Sequence, residues 1–252
     1  MAADSPEPVD EMAGLYPFLY ADTDADMGAV MSEVRRSTEE KAAQIVALRD
    51  QVGREHGDAL TACAAAMAER FAAGGRLFAF GNGGSSTDAG DVATTYLHPP
   101  HGRPLPAFSL TADVAVVTAL SNDIGYEVVF SRQVGALGRP GDIAFGLSTS
   151  GGSANVVAAI EEASRGGLLT VALAGYAGGK LAELDALDYL FVVPSPSVHR
   201  IQEAQTTIYH TLWELTQRAL AESDGARVSA EPAAEPVAVH DGAGGRSGGE
   251  TS

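Results

Sequence analysis

The sequence predicts an α/β fold: a five-stranded parallel sheet with helices on both faces, led and followed by long helices. Five short runs rich in β-branched and aromatic residues, each bounded by Gly, Pro or Asp, carry this reading: RLFAF (76–80), PAFSL (106–110), DIAFGLS (142–148), LLTVALAG (168–175) and YLFVV (189–193). Stretches of helical pattern separate them, and strands that alternate with helices pair in parallel. The chain has 252 residues, 45% of them hydrophobic, enough to bury one substantial core or two small ones.

In chain order, residues 1–26 come first and hold seven acidic residues (Asp4, Glu7, Asp10, Glu11, Asp22, Asp24, Asp26) and no basic one. This reads as a loose acidic arm, in which the apolar LYPFLY (15–20) is an expected anchor on the body or on a neighbouring subunit. From Met27 to about Ala73 apolar residues recur at helical spacing (Val30, Met31, Val34, then Ile45, Val46, Leu48, later Leu60, Cys63, Met67, Phe71). The pattern breaks near Gly53 and Gly57, which predicts two helices. Further helices are expected at about 87–97, 113–121, 126–138, 153–166 and 178–185, and a last long one from Val198 to Ala221. From Ser223 onward the chain is Gly, Ala, Pro, Ser and Glu without aromatics and cannot repay its ordering entropy. The expected organisation is thus an arm (1–26), one folded domain (27–222) and a disordered acidic tail (223–252).

Composition excludes several functions. Lys plus Arg number 16 against 33 Asp plus Glu, a formal charge of -17, and no basic run occurs, so phosphate-neutralising contact with nucleic acid is not expected. The single cysteine, Cys63, excludes an internal disulfide and a Cys-rich metal site and suits a reducing compartment, hence a cytoplasmic protein. No apolar run approaches the roughly 18 residues of a membrane span.

In an open parallel sheet, ligands sit beyond the carboxyl ends of the strands, where helix N-termini present free N–H groups. Two loops fit that place. GNGGSSTD (81–88) follows the first strand, with Gly81, Gly83 and Gly84 permitting close ligand approach and Ser85, Ser86 and Thr87 offering hydroxyls. STSGGS (148–153) follows the third, with Ser148, Thr149, Ser150 and Ser153 around two glycines, a neutral nest suited to a phosphate monoester. Gly/Ser clusters also serve ordinary strand-to-helix turns; two at corresponding places point to a ligand. GNGGSS lacks the sixth-position Gly of a dinucleotide fingerprint, and neither loop holds the Lys of a P-loop.

GNGGSSTDA, SND (121–123), GDIAFGLSTSGGSANVV (141–157), GYAGGKLAEL (175–184) and RIQEAQTTIYH (200–210) together resemble sugar isomerase (SIS) domains, most closely the phosphoheptose isomerase group, over about residues 27–222. The resemblance implies a flavodoxin-like three-layer sandwich and a homotetramer with sugar-phosphate sites between subunits. It implies phosphate held by Ser148, Thr149, Ser150 and Ser153, and sugar contacts from Asn82 with Gly83 and Ser85, from Asp113 and from Gln202. Asp113 reads equally as the N-cap of the helix that follows it.

Members of the group move a proton between C1 and C2 of sedoheptulose 7-phosphate, which needs positioned acid–base groups. In the family a His and a Glu four residues later on the first-loop helix supply part of this, with a Gln and a His eight residues later on the last helix, and some members bind zinc through them. The last-helix pair is present as Gln202 and His210, about 80° apart over two turns and able to face one cleft. The first helix departs: the family His falls on Asp91 and the family Glu on Thr95, and threonine is no practical general base near neutral pH. The candidate catalytic residues are therefore His210 and Asp91, and Asp91, Gln202 and His210 are a candidate set for zinc or another divalent metal. Asp91 also reads as a first-turn residue favoured by the helix dipole, and His210 as a histidine packed among Tyr209, Leu212 and Trp213. Two functions follow. One is an aldose–ketose isomerase acting on sedoheptulose 7-phosphate or a related sugar phosphate; the other, given Thr95, is a non-catalytic sugar-phosphate sensor or adaptor that contacts a protein through the arm or tail.

Overall fold

The computed structural model describes residues 27–230, with side chains through residue 225. The expected arm, LYPFLY included, and the chain beyond Ala230 lie outside the described residues. The elements are α1 (Met27–Ala72), β1 (Leu77–Gly81), α2 (Gly84–Leu97), β2 (Ala107–Ser109), α3 (Val114–Asp123), α4 (Val129–Leu137), β3 (Ile143–Ser148), α5 (Ala154–Arg165), β4 (Leu169–Gly175), β5 (Tyr189–Val193) and α6 (Val198–Ala230). All five strands pair in parallel in the order β2-β1-β3-β4-β5. The order reverses between β1 and β3, so their carboxyl ends flank the crevice in which such sheets bind ligands.

Strand alternation builds the core on both faces. Leu77, Ala79, Ile143, Phe145, Leu147, Val171, Leu173, Phe191 and Val193 point to one side and pack with α1, α2 and α6. Phe78, Phe80, Ala144, Ala172 and Ala174 point to the other and meet α4 and α5 through Phe130, Val134, Val156 and Ile160. Buried on both faces, the central strands β1, β3 and β4 read in the sequence as nearly continuous apolar runs. Gly146, at the middle of β3, lets α5 approach: a Cβ there would lie 3.2–3.3 Å from Val156, Ile160 and Phe80.

Three expectations are corrected. The chain from Met27 to Ala72 is one helix rather than two, because the buried stripe of Leu48, Val52, Leu60, Cys63, Met67 and Phe71 runs across the glycines and packs against α6. An interior glycine costs about 1 kcal/mol relative to Ala, too little to break a helix whose face is buried on either side of it. The segments 126–138 and 178–185 each contain a 3-10 turn, Tyr126–Val128 leading into α4 and Gly179–Glu183 standing alone. Gly178 and Gly179 take left-handed backbone angles (φ 88° and 53°), which prevents a regular helix from starting there. Finally, α6 continues past Ala221 to Ala230, and Asp224 on it pairs with Arg103 at 3.2 Å.

Candidate functional site

The loop after β3 forms a hydroxyl nest. Ser148 Oγ lies 3.0 Å from Ser153 Oγ and 3.5 Å from Ser150 Oγ, and the Gly152 N–H donates to Ser150 Oγ at 3.2 Å. Ser153 occupies the N-cap position of α5 yet makes no side-chain capping bond; its hydroxyl turns to the nest instead. The positive end of α5 therefore faces these serines, an arrangement suited to an anion. Gly151 (φ 63°) closes the turn through its N–H to the Ser148 carbonyl at 3.0 Å, and its own carbonyl accepts from the Leu181 N–H at 2.9 Å. A Cβ on Gly151 would collide with the Gly178 carbonyl, and one on Gly179 with the Ser150 carbonyl, so the loop after β4 braces the nest backbone to backbone. Thr149 is half-buried and Ser150 exposed. No lysine or arginine side chain hydrogen-bonds to these hydroxyls among the described residues; the nest is neutral.

The loop after β1 lies beside it. Gly83 (φ 56°) is the N-cap of α2, which begins at Gly84, three residues earlier than the sequence suggested, with Ser85 buried in its first turn. Asn82 is tied to the first turn of α5: its Nδ2 donates to Asn155 Oδ1 at 2.8 Å while its Oδ1 accepts from Asn155 Nδ2 at 2.9 Å. The Tyr126 hydroxyl donates to the same Oδ1 at 2.7 Å. A single amide thus links the loops that follow β1 and β3 with the turn before α4.

The third group lies between α2 and α6. Asp91 Oδ2 accepts from the Tyr209 hydroxyl at 2.7 Å and lies 3.3 Å from His210 Nε2. Burial, and then the hydrogen bond to Asp91, push the Tyr209 phenol up, so it remains a protonated donor. One turn earlier, Asp88 Oδ2 takes the Gln202 amide at 3.5 Å. Gln202 fits there because residue 84 is glycine; a Cβ at that position would collide with its amide. Burial pushes the Asp88 carboxyl up, opposed by the Gln202 hydrogen bond and reinforced by the charge of Asp91. Thr95 is half-buried and, among the described residues, makes no side-chain hydrogen bond.

Of the candidate metal-ligand set, the structure brings Asp91 and His210 together. Asp91 and His210 are hydrogen-bonded to each other, and the hydrogen bond of Gln202 goes to Asp88, one turn before Asp91 on α2. Among the described residues no group of three His, Cys, Asp or Glu could hold a metal ion.

Of the residues singled out from sequence, Asn82 and the serine nest meet through Asn155, and Asp91 meets His210. Asp113 stands apart: its Oδ1 accepts from the Val116 N–H at 3.1 Å, capping α3, and it makes no hydrogen bond to the others. Tyr126, Asn155, Asp88 and Tyr209 were missed. Asn155 lies within the SAN of the second loop and Tyr209 adjoins His210, so proximity to motifs was their only signal.

Comparison with known proteins agrees with this geometry. The profile of the SIS domain family matches residues 42–175. The phosphoheptose isomerase of Roseiflexus sp. (strain RS-1) is 43% identical over 192 residues, 75% of this chain and 88% of that protein. The phosphoheptose isomerase of Thermodesulfovibrio yellowstonii is 40% identical over 200 residues, covering 79% and 96%. Among solved structures, a phosphoheptose isomerase from Neisseria gonorrhoeae superposes with a TM-score of 0.68 at 34% identity, covering 73% of this chain and 99% of that one. One from Francisella tularensis gives 0.63 at 33%, covering 72% and 98%. With the sheet order, the two strand-tip loops and these similarities in agreement, the chain belongs to the SIS domain family, in its phosphoheptose isomerase group.

Proposed function

We propose that this protein is an aldose–ketose isomerase acting on sedoheptulose 7-phosphate or a closely related sugar phosphate. The observation that carries the reading is the neutral nest of Ser148, Ser150 and Ser153 at the N-terminus of α5, joined through Asn155 and Asn82 to α2, which bears Asp91. The nest, with Thr149, takes the phosphate. Asn82 and Ser85, with Gly83 allowing close approach, and Gln202 and Asp113 contact the sugar. In the ketose-to-aldose direction a proton leaves C1 and returns to C2 through an enediol, while the O1 hydroxyl proton moves to O2. His210 and Asp91 supply the acid–base pair. His210 turns Nε2 to Asp91, which leaves Nδ1 for the substrate, and among the described residues Asp91 Oδ1 accepts no hydrogen bond.

The active protein is a homotetramer, a reading supported by the unburied apolar stripe on the first half of α1. It works in the cytoplasm, supported by the single buried thiol of Cys63. Among the described residues no helix is long and apolar enough to cross a membrane.

The test is to mix purified protein with sedoheptulose 7-phosphate and follow heptose 7-phosphate formation. Wild type turns over, and His210→Ala loses about 10²–10⁴-fold in kcat, the usual worth of an acid–base group. Thr95 supports a second reading, an adaptor that binds sugar phosphate without chemistry. A thermal shift with sugar phosphates, but no turnover of any C5–C7 ketose phosphate, decides for the adaptor.

A further inference from the structure

We infer that Tyr126 is a positioning residue that fixes the amide of Asn82 so that Asn82 meets the sugar as a hydrogen-bond donor only. The inference rests on the sugar-phosphate reading above and deepens it. A primary amide has two acceptor sites on its oxygen and two N–H donors. Asn82 Oδ1 already accepts twice, from Tyr126 at 2.7 Å and from Asn155 at 2.9 Å, which fills it. One N–H of Nδ2 is committed to Asn155 Oδ1 at 2.8 Å. A single N–H remains without a partner among the described residues. Asn82 is half-buried beside the nest, so that remaining donor is what it offers to a ligand. A donor of this kind addresses an oxygen lone pair, such as the carbonyl oxygen of an open-chain sugar, and cannot accept from a hydroxyl.

The two partners contribute differently. Asn155 is only 3% exposed and joins Asn82 in a reciprocal amide pair, which turning over both amides together would satisfy equally well. Tyr126 removes that symmetry: with its hydroxyl donating, Asn82 Oδ1 is the end it holds. Tyr126 itself is 50% exposed and belongs to the 3-10 turn that follows Gly125 (φ 133°), so its hydroxyl is set by the turn and not by core packing. Removing it should leave the fold intact and free the Asn82 amide to rotate.

The experiment measures, by calorimetry, the affinity of wild type, Tyr126→Phe, Asn82→Ala and the double variant for sedoheptulose 7-phosphate and for inorganic phosphate. Tyr126→Phe should weaken the sugar phosphate by about three- to tenfold, as expected for one neutral hydrogen bond, and leave inorganic phosphate within about twofold, since the nest is untouched. In the Asn82→Ala background the same substitution should have no further effect, the signature of action through Asn82. Tyr126→Phe binding the sugar phosphate like wild type overturns the inference. Equal weakening of both probes, or an effect that persists without Asn82, also overturns it. Wild type that binds inorganic phosphate but no sugar phosphate overturns the functional reading and this inference with it, a result distinct from the other three.

Discussion

Gly151 decides whether the nest exists. With φ at 63° and the Gly178 carbonyl where a Cβ would stand, Gly151→Ala forces apart the loops after β3 and β4. Phosphate binding should be lost in that variant, measured by calorimetry with inorganic phosphate, whereas Ser150→Ala should weaken it by about 1–3 kcal/mol, the cost of leaving one desolvated hydrogen bond unmade. Asp88 gives a pH test. Burial raises its carboxyl in the folded state, so above the ordinary aspartate range of about pH 3.9 the folded protein holds more proton there than the unfolded chain. This group's contribution to stability therefore falls as pH rises through that window. Asp88→Asn should raise Tm at pH 7, with the gain shrinking as pH drops toward the unfolded value; a variant with unchanged Tm and slope contradicts the assignment. At this scale the sequence was legible where a partner lies a few residues away, as in Ser148 and Ser153. It was not legible for Tyr126 and Tyr209, which reach partners 44 and 118 residues distant.

Elements were easier to read than their ends. The five strands appear where expected; in β1, β3 and β4 burial on both faces makes each a nearly continuous apolar run, and that signal is local. Long α1 was split in expectation because glycine propensity is also local, while the packing of α1 against α6 that overrides it is not. The same conflict supplies a prediction. Gly53 and Gly57 have helical neighbours on both sides, and a Cβ at either would meet nothing within 4 Å. Gly53→Ala and Gly57→Ala should each stabilise the protein by about 0.5–1 kcal/mol, through intrinsic propensity and the reduced freedom of the unfolded chain. Chemical denaturation with an unchanged m-value would register it. Loss of stability in both would mean that α1 bends or pairs at those positions in a way the single chain does not display. Gly146→Ala should act in the opposite direction, since α5 already touches the space a methyl group would take.

At the scale of the whole molecule, the apolar surface that the described residues leave uncovered on α1 supports the proposed tetramer. None of residues 27–47 of α1 is buried, a length of about 30 Å at helical rise. Along it Met27, Val30, Met31 and Val34 form a stripe at the i, i+3, i+4, i+7 spacing of a packed face, each at least 50% exposed. Helix α3 is mostly apolar and has no buried residue either, and its Val116 and Leu120 line a groove with Phe108 and Leu137. Isolated helices of this kind are marginal in water, and the proposed assembly would give the first half of α1 a partner. A second copy is the partner that the stripe itself can match, because an isologous interface puts the same face against itself. Light scattering should then give wild type a mass that is a multiple of 25.9 kDa, four times that value for the tetramer. Val30→Glu with Val34→Glu tests the face directly. In a lone chain these charges would sit in water at little cost, but in an assembly they would be desolvated without counter-ions. The double variant should dissociate to smaller species, show no shift of Tm with protein concentration, and keep the circular dichroism of the sheet domain. Wild type at the mass of one chain, or a variant that still assembles fully, would mean that this stripe faces something other than its own copy.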